Sequence, residues 1–266
     1  EEARLLRRAF RDEALTAAQL DHPNIVPVYD FATNSEGASM LAMKLVHGEP
    51  WNRTIDSEFA KSSAEDFLAR HIPVLVAVAQ AVAFAHSRGI IHRGLKPHQV
   101  MVGEFGEVRL MDWGLAGNFD PERLRGTRGD LAMGSVPATE EASSPAGTPA
   151  YMAPEQTRRT ADAVGPWTDI YLLGAILFVL LSGSAPRSGT AGHATFSAAA
   201  AGRIDDLGKV APEGRAMPPD LVELCLQCLA ADRGKRPASA SEVVERLRAH
   251  LSGTRSRGES AAITKE

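Results

Sequence analysis

Residues 170–181 read IYLLGAILFVLL, the longest apolar run in the chain. A helix that is apolar on every side has no face to offer water, so it must be enclosed by other elements. At twelve residues the run falls short of the ~20 needed to cross a bilayer. It therefore predicts a core helix. With 266 residues and 44% hydrophobic content, the chain is long enough to surround that helix with one sizeable core, or two unequal ones.

The elements around it are read from periodicity. Residues 3–20 place Leu5, Leu6, Ala9, Phe10, Ala14, Ala17 and Leu20 at helical spacing, and DHPN ends that helix. IVPVYDFA (25–32) and SMLAMKLV (39–46) read as strands joined by the polar turn TNSEGA, an antiparallel hairpin. A buried helix is predicted from Pro73 to His86, with the proline in its first turn, on Val76, Ala79, Val82 and Ala83. The rest is mainly helical, at 169–182, 220–231 and 239–251, apart from a short hairpin in 100–112 and a Ser/Thr/Pro/Gly-rich stretch at 117–149. The polar end, 252–266, reads as a disordered tail.

A net charge of −4 gives no whole-protein attraction to nucleic acid or to an anionic membrane, so neither is expected as a partner. The two cysteines, Cys225 and Cys228, lie on nearly one face of a helix. A lone CxxC supplies half a structural zinc site and no second pair accompanies it, so two buried thiols in a reducing compartment are the expectation.

Three further signals occur in order: HRGLKPHQ at 92–99, DWG at 112–114 and GTPAYMAPE at 147–155. Together they resemble the protein kinases, and HPNIVPVYDF, MVGEFGEVRLMDWGLA and GTPAYMAPEQ resemble the bacterial serine/threonine kinases of eukaryotic type. The resemblance covers residues 3–251. It implies an α+β, kinase-like fold, with a truncated small lobe (helix αC, a β hairpin and the hinge) in 1–48 and a mainly helical large lobe in 49–251.

By that resemblance Asp112 holds magnesium, Lys96 meets the γ-phosphate of ATP, and Thr148 is the activation-segment threonine of Ser/Thr specificity. Glu155 and Arg236 are matched to a buried ion pair whose breaking strands a charge at roughly 3–5 kcal/mol. Asp169 is matched to the carboxylate that receives backbone N–H groups of the catalytic loop, with an N-cap role as its alternative. His92 is expected to pack against Trp113. Met43, Val46 and Met101 are matched to the adenine site, and Glu13 to the αC glutamate that pairs with an ATP-binding lysine; no lysine precedes it, and an ordinary helix carboxylate is its other reading. Thr127, Ser135, Thr139, Ser143 and Ser144 are candidate phosphorylation sites, with Arg93 as the pairing cation.

The departures are specific. Where the family has an aspartate that receives the proton of the substrate hydroxyl, this chain has Gly94; losing a positioned base costs ~10²–10⁴ in rate. Where it has an asparagine for a second magnesium, this chain has Gln99, one methylene longer. These changes imply a pseudokinase acting as a regulatory or scaffolding module, with ATP and Mg²⁺ as cofactors only if nucleotide binding is retained. The alternative is an active Ser/Thr kinase seen as a fragment. The expected partner is a protein, as substrate or as a second kinase domain in a dimer. The expected place is the cytoplasm, with no membrane span inside 1–266 and the option of a membrane anchor elsewhere in a longer protein.

Overall fold

The computed structural model describes residues 2–35, 38–120, 146–158, 163–188 and 192–263, with side chains from 10 to 254. Helix α1 (Glu2–Ala18) lies against the hairpin of β1 (Val28–Thr33) and β2 (Ser39–Met43), paired antiparallel from Val28↔Met43 to Thr33↔Ser39. After β3 (Glu49–Pro50) come α2 (Trp51–Glu58), α3 (Ala64–Ser87) and β4 (Ile90–Ile91). Strands β5 (Val100–Val102) and β6 (Val108–Leu110) form a hairpin that β3 extends, and β7 (Gly117–Asn118) pairs with β4. The remaining helices are α4 (Pro166–Ser182), α5 (His193–Ala200), α6 (Leu207–Val210), α7 (Pro219–Cys228) and α8 (Ala240–Ile263).

Helix α4 carries the apolar run, and every residue from Thr168 to Ser182 is buried. It packs against α3, α7 and α8. The approach to α7 is close because Gly174 has no side chain: a Cβ there would stand 2.4 Å from that of Cys228. Both thiols are buried and unbridged, and the Cys225 thiol meets the Gly174 carbonyl at 3.6 Å. Burial pushes the Cys228 thiol up to about 12, so it stays protonated and is a poor metal or redox ligand. Among the described residues no three His, Cys, Asp or Glu side chains converge on a metal-sized space.

Two helix boundaries differ by more than a turn from the sequence reading. Helix α3 begins at Ala64, not Pro73, because Ser63 caps it by accepting the Asp66 N–H, with Glu65 and Asp66 in the first turn. Pro73 therefore sits inside the helix, where it costs about 3 kcal/mol. Burial of Phe67, Leu68, Ile72, Leu75 and Val76 on both sides of it offsets that cost. By length and composition α3 could cross a membrane, yet 56% of its apolar window is buried inside the fold. Helix α8 runs to Ile263 instead of stopping at Leu251.

Residues 24–26 tie the first part of the chain to the second. The Leu110 N–H donates to the Asn24 carbonyl at 2.7 Å, the Val26 N–H to Leu110 O at 3.3 Å, and the Asn24 amide to Val108 O at 3.0 Å. The β1–β2 hairpin leaves Tyr29, Met40 and Met43 exposed, and Leu45, just past β2, is exposed as well.

Candidate active site

The site begins at the floor, with a carboxylate out of water. Asp169 is fully buried in α4, three residues past the helix start at Pro166, and Gly165 is the cap residue, so the N-cap alternative does not apply. Its Oδ2 accepts the His92 N–H at 2.8 Å and its Oδ1 accepts the Arg93 N–H at 2.8 Å; His86 Nε2 lies 2.8 Å from Oδ2. Burial alone would raise this carboxyl, but the hydrogen bond and charge of His86 and the contribution of His92 outweigh it and hold the group below its ordinary value. Arg93, whose N–H is bound this way, has φ 65, and Asp112 has φ 61. These are left-handed conformations that non-glycine residues rarely adopt, and at Arg93 the carboxylate compensates for the strain.

His92 has no exposure and stands 4.6 Å from Trp113, centroid to centroid. Its Nδ1 accepts the Gly94 N–H at 3.2 Å, so the ring proton sits on Nε2, 3.2 Å from the Met111 carbonyl. Burial lowers its pKa and keeps it neutral. The Trp113 indole N–H is buried and has no partner among the described residues.

Above this floor is the face where chemistry would occur. The Lys96 ammonium donates to the Thr148 hydroxyl at 2.9 Å, and among the described residues it forms no ion pair with a carboxylate. Gly94 contributes nothing in that direction. A Cβ built there meets only His92 and Leu115 atoms at 3.5 Å or more, ordinary contact distances, so there is room for a side chain at this position. The Gln99 amide donates to Asp112 Oδ2, and Oδ1 receives the Gly114 N–H at 3.4 Å. Glu13 approaches from α1, with its Oε2 3.1 Å from where a Cβ on Gly114 would stand. Burial and the nearby Asp112 raise the Glu13 pKa, and among the described residues no cation pairs with it.

Asp112 and Gln99 already touch, so two oxygen-bearing side chains converge, and rotating the Gln99 amide would present its oxygen instead of its nitrogen. That arrangement fits a divalent cation. On the nucleotide side, Gly48 at φ 144 passes so close to β5 that a Cβ would stand 2.2 Å from the Val102 carbonyl. Met101 on β5 pairs with Pro50, Val46 is half-buried, and Met43 at the end of β2 is 45% exposed.

Gln156 and Arg187 support the site without a signal in the sequence, whereas the Glu155–Arg236 pair is expected from it. The buried Gln156 amide donates to Arg93 O at 2.8 Å and Ala146 O at 3.1 Å, joining the two loops. Buried Arg187 donates to the carbonyls of Met152 (3.0 Å) and Pro149 (3.4 Å), and to the Tyr171 hydroxyl at 2.6 Å. Glu155 receives both terminal nitrogens of Arg236, at 2.6 and 3.0 Å, and the Thr168 hydroxyl at 3.0 Å.

Residues 1–247 match the protein kinase domain family. The chain belongs to that family. It is 32% identical over 263 residues to the serine/threonine-protein kinase PknD of Chlamydia felis, covering 94% of this chain and 27% of that protein. To PknD of Protochlamydia amoebophila it is 31% identical over 267 residues, 93% of this chain and 26% of the relative. The chain thus spans about a quarter of the length of these curated relatives.

In chain order α1, β1 and β2 precede β3, and all the remaining helices follow it. The candidate phosphorylation sites Thr127, Ser135, Thr139, Ser143 and Ser144 lie outside the described residues.

Proposed function

We propose that this kinase domain is a pseudokinase: a regulatory or scaffolding module in phosphorylation signalling that transfers phosphate poorly or not at all. The observation that carries the proposal is Gly94. The loop around it is held by buried hydrogen bonds, yet the position of the base has no acid, and among the described residues Lys96 forms no ion pair with a carboxylate. Protein kinases generally use ATP and Mg²⁺, the nucleotide supplying the phosphoryl group and the metal the charge neutralisation. Here Asp112 and Gln99 would hold the metal, and Met43, Val46 and Met101 would border the adenine. Lys96 would neutralise charge on the reacting phosphate and Thr148 would orient Lys96. His92, Arg93, Glu155, Asp169 and Arg236 position these groups without touching the reactants. The partner is another protein, and exposed Tyr29, Met40, Met43 and Leu45 offer it apolar contact.

The second reading is an active Ser/Thr kinase. It is favoured by one observation: Lys96, Thr148, Asp112 and Gln99 are all present and linked in pairs. A loose transition state asks little of a base.

The test is γ-phosphate transfer by the protein with any upstream region its gene encodes, on itself and on a generic Ser/Thr substrate. We expect turnover at least ~100-fold below the ~1–100 s⁻¹ usual for kinases, with Gly94→Asp raising it by ~10²-fold or more. Ordinary turnover in the unaltered protein would sink the pseudokinase reading.

A further inference from the structure

A second concavity lies away from the reacting face. It has a volume of about 390 Å³ and is lined by Pro154, Glu155, Arg158, Ala163, Ala231, Asp232 and Arg233. Three separate segments build it: the 3₁₀ turn Pro154–Thr157 with the residue after it, the approach to α4, and the turn that leads into the 3₁₀ helix Arg233–Lys235. Its walls are fixed. The Trp167 indole donates to the Ala163 carbonyl at 3.1 Å, and the Arg233 guanidinium lies 4.5 Å over the Trp167 ring, a cation–π contact that holds the charge in place.

The charges around this cavity do not cancel. The Glu155 carboxylate is paired with Arg236 and bound by Thr168, and Asp232, whose Oδ1 accepts the Gly234 N–H at 3.0 Å, keeps its charge, so among the described residues the lining sets two cations, Arg158 and Arg233, against one unpaired carboxylate. Among the described residues, neither Arg158 nor Arg233 forms an ion pair, and both are exposed. Two unpaired guanidinium groups thus face one concavity in a chain whose net charge is −4.

We propose that this cavity binds a phosphate monoester carried on a polypeptide, a phosphorylated serine or threonine side chain. Such a group carries about −1.5 to −2 charges at pH 7, which two guanidinium groups match, and its three terminal oxygens suit two planar forks better than the two oxygens of a carboxylate do. A cavity of this size falls in the range of about 300–1,000 Å³ typical of sites that enclose an organic group, more than a bare phosphate needs. Pro154, Ala163 and Ala231 supply apolar wall for the carbon part of the modified residue. The site reads phosphorylation whether or not the domain performs it. The inference therefore stands apart from the question of turnover, and it is measured without nucleotide.

The experiment is calorimetric titration of the whole protein with three probes: a phosphothreonine peptide with uncharged flanks, its unphosphorylated form, and inorganic phosphate. We expect the phosphopeptide to bind at least tenfold more tightly than either other probe, and its affinity to fall as pH drops through 6, where the phosphate loses its second charge. Arg158→Gln and Arg233→Gln should each weaken binding at least fivefold. Arg158 makes no side-chain contact that the fold depends on, so its variant keeps the test valid if Arg233→Gln disturbs the packing on Trp167. Equal affinity for the phosphorylated and unphosphorylated peptides, or no response to Arg158→Gln, would overturn the proposal. Inorganic phosphate binding as tightly as the phosphopeptide would overturn the polypeptide ligand.

Discussion

The floor of the site and the face above it are built to different standards. Below, around Asp169, His92, Gln156, Glu155 and Arg236, polar groups are buried and bonded, several of them twice. Above, at Gly94, Lys96, Gln99 and Asp112, groups are half-buried or exposed, and only Asp112 carries more than one side-chain hydrogen bond. The difference shows that holding a catalytic loop in shape and equipping it for chemistry are separable tasks. In this chain buried, bonded groups hold the loop, while the face above has a glycine at 94 and a glutamine at 99.

Removing the anchor should produce the largest effect. Asp169→Ala leaves two backbone N–H groups and His86 without their acceptor in a dry core, which we expect to cost about 3–5 kcal/mol. A denaturant midpoint with unchanged slope measures it. A loss under 1 kcal/mol would mean that the floor is less demanding than its hydrogen bonds indicate.

The anchor was legible in the sequence only through motif register, since nothing about the composition around Asp169 distinguishes a buried acceptor from a helix cap. The motifs also paired Glu155 with Arg236, a contact the structure contains. Gln156 and Arg187 escaped because their partners are backbone carbonyls, which carry no residue identity. The start of α3 escaped for a different reason: Pro73 was taken as a helix opener, while the capping contribution of Ser63 and the burial beyond it overrode that preference. Helix α4 was the easiest element to read, because a helix apolar on every side has few places to go.

Acid should separate the two regions next. Burial lowers the pKa of His92 and His71, with the charge of Arg70 adding to the effect at His71 while Glu58 opposes it. Each folded pKa lies below the ordinary value of 6.5, so the unfolded chain takes up protons first. Stability is then complete above about pH 6.5 and declines as pH falls toward the folded values. Asp169, also lowered, adds a further loss below about pH 4. Unfolding midpoints from pH 7.5 to 5 should fall steadily, and less steeply in His71→Gln, whose amide oxygen can accept the indole N–H that His71 Nδ1 accepts at 2.8 Å.

Two buried tryptophans sharpen the contrast. The Trp51 indole donates to His71, whereas the Trp113 indole N–H has no partner among the described residues. Trp51→Phe strands the His71 acceptor and should cost about 2–4 kcal/mol, packing loss included. Trp113→Phe loses packing but also removes an unsatisfied donor, so its net cost should stay within about 1 kcal/mol. Equal costs would place a hydrogen-bond partner, such as a tightly held water, at Trp113.

The smallest effect belongs to Gly94, the position on which the proposed loss of transfer rests. A methyl group at residue 94 makes only ordinary contacts, the backbone there does not have the positive φ that favours glycine, and alanine restricts the unfolded chain more than glycine does. Gly94→Ala should therefore raise stability by about 0.4–1 kcal/mol in thermal or denaturant unfolding. If it does, no structural need explains a glycine at the base position, and any phosphoryl transfer gained with Gly94→Asp can be assigned to the carboxylate itself. If alanine destabilises instead, the glycine serves the loop, and the missing acid is a consequence of how this loop is built.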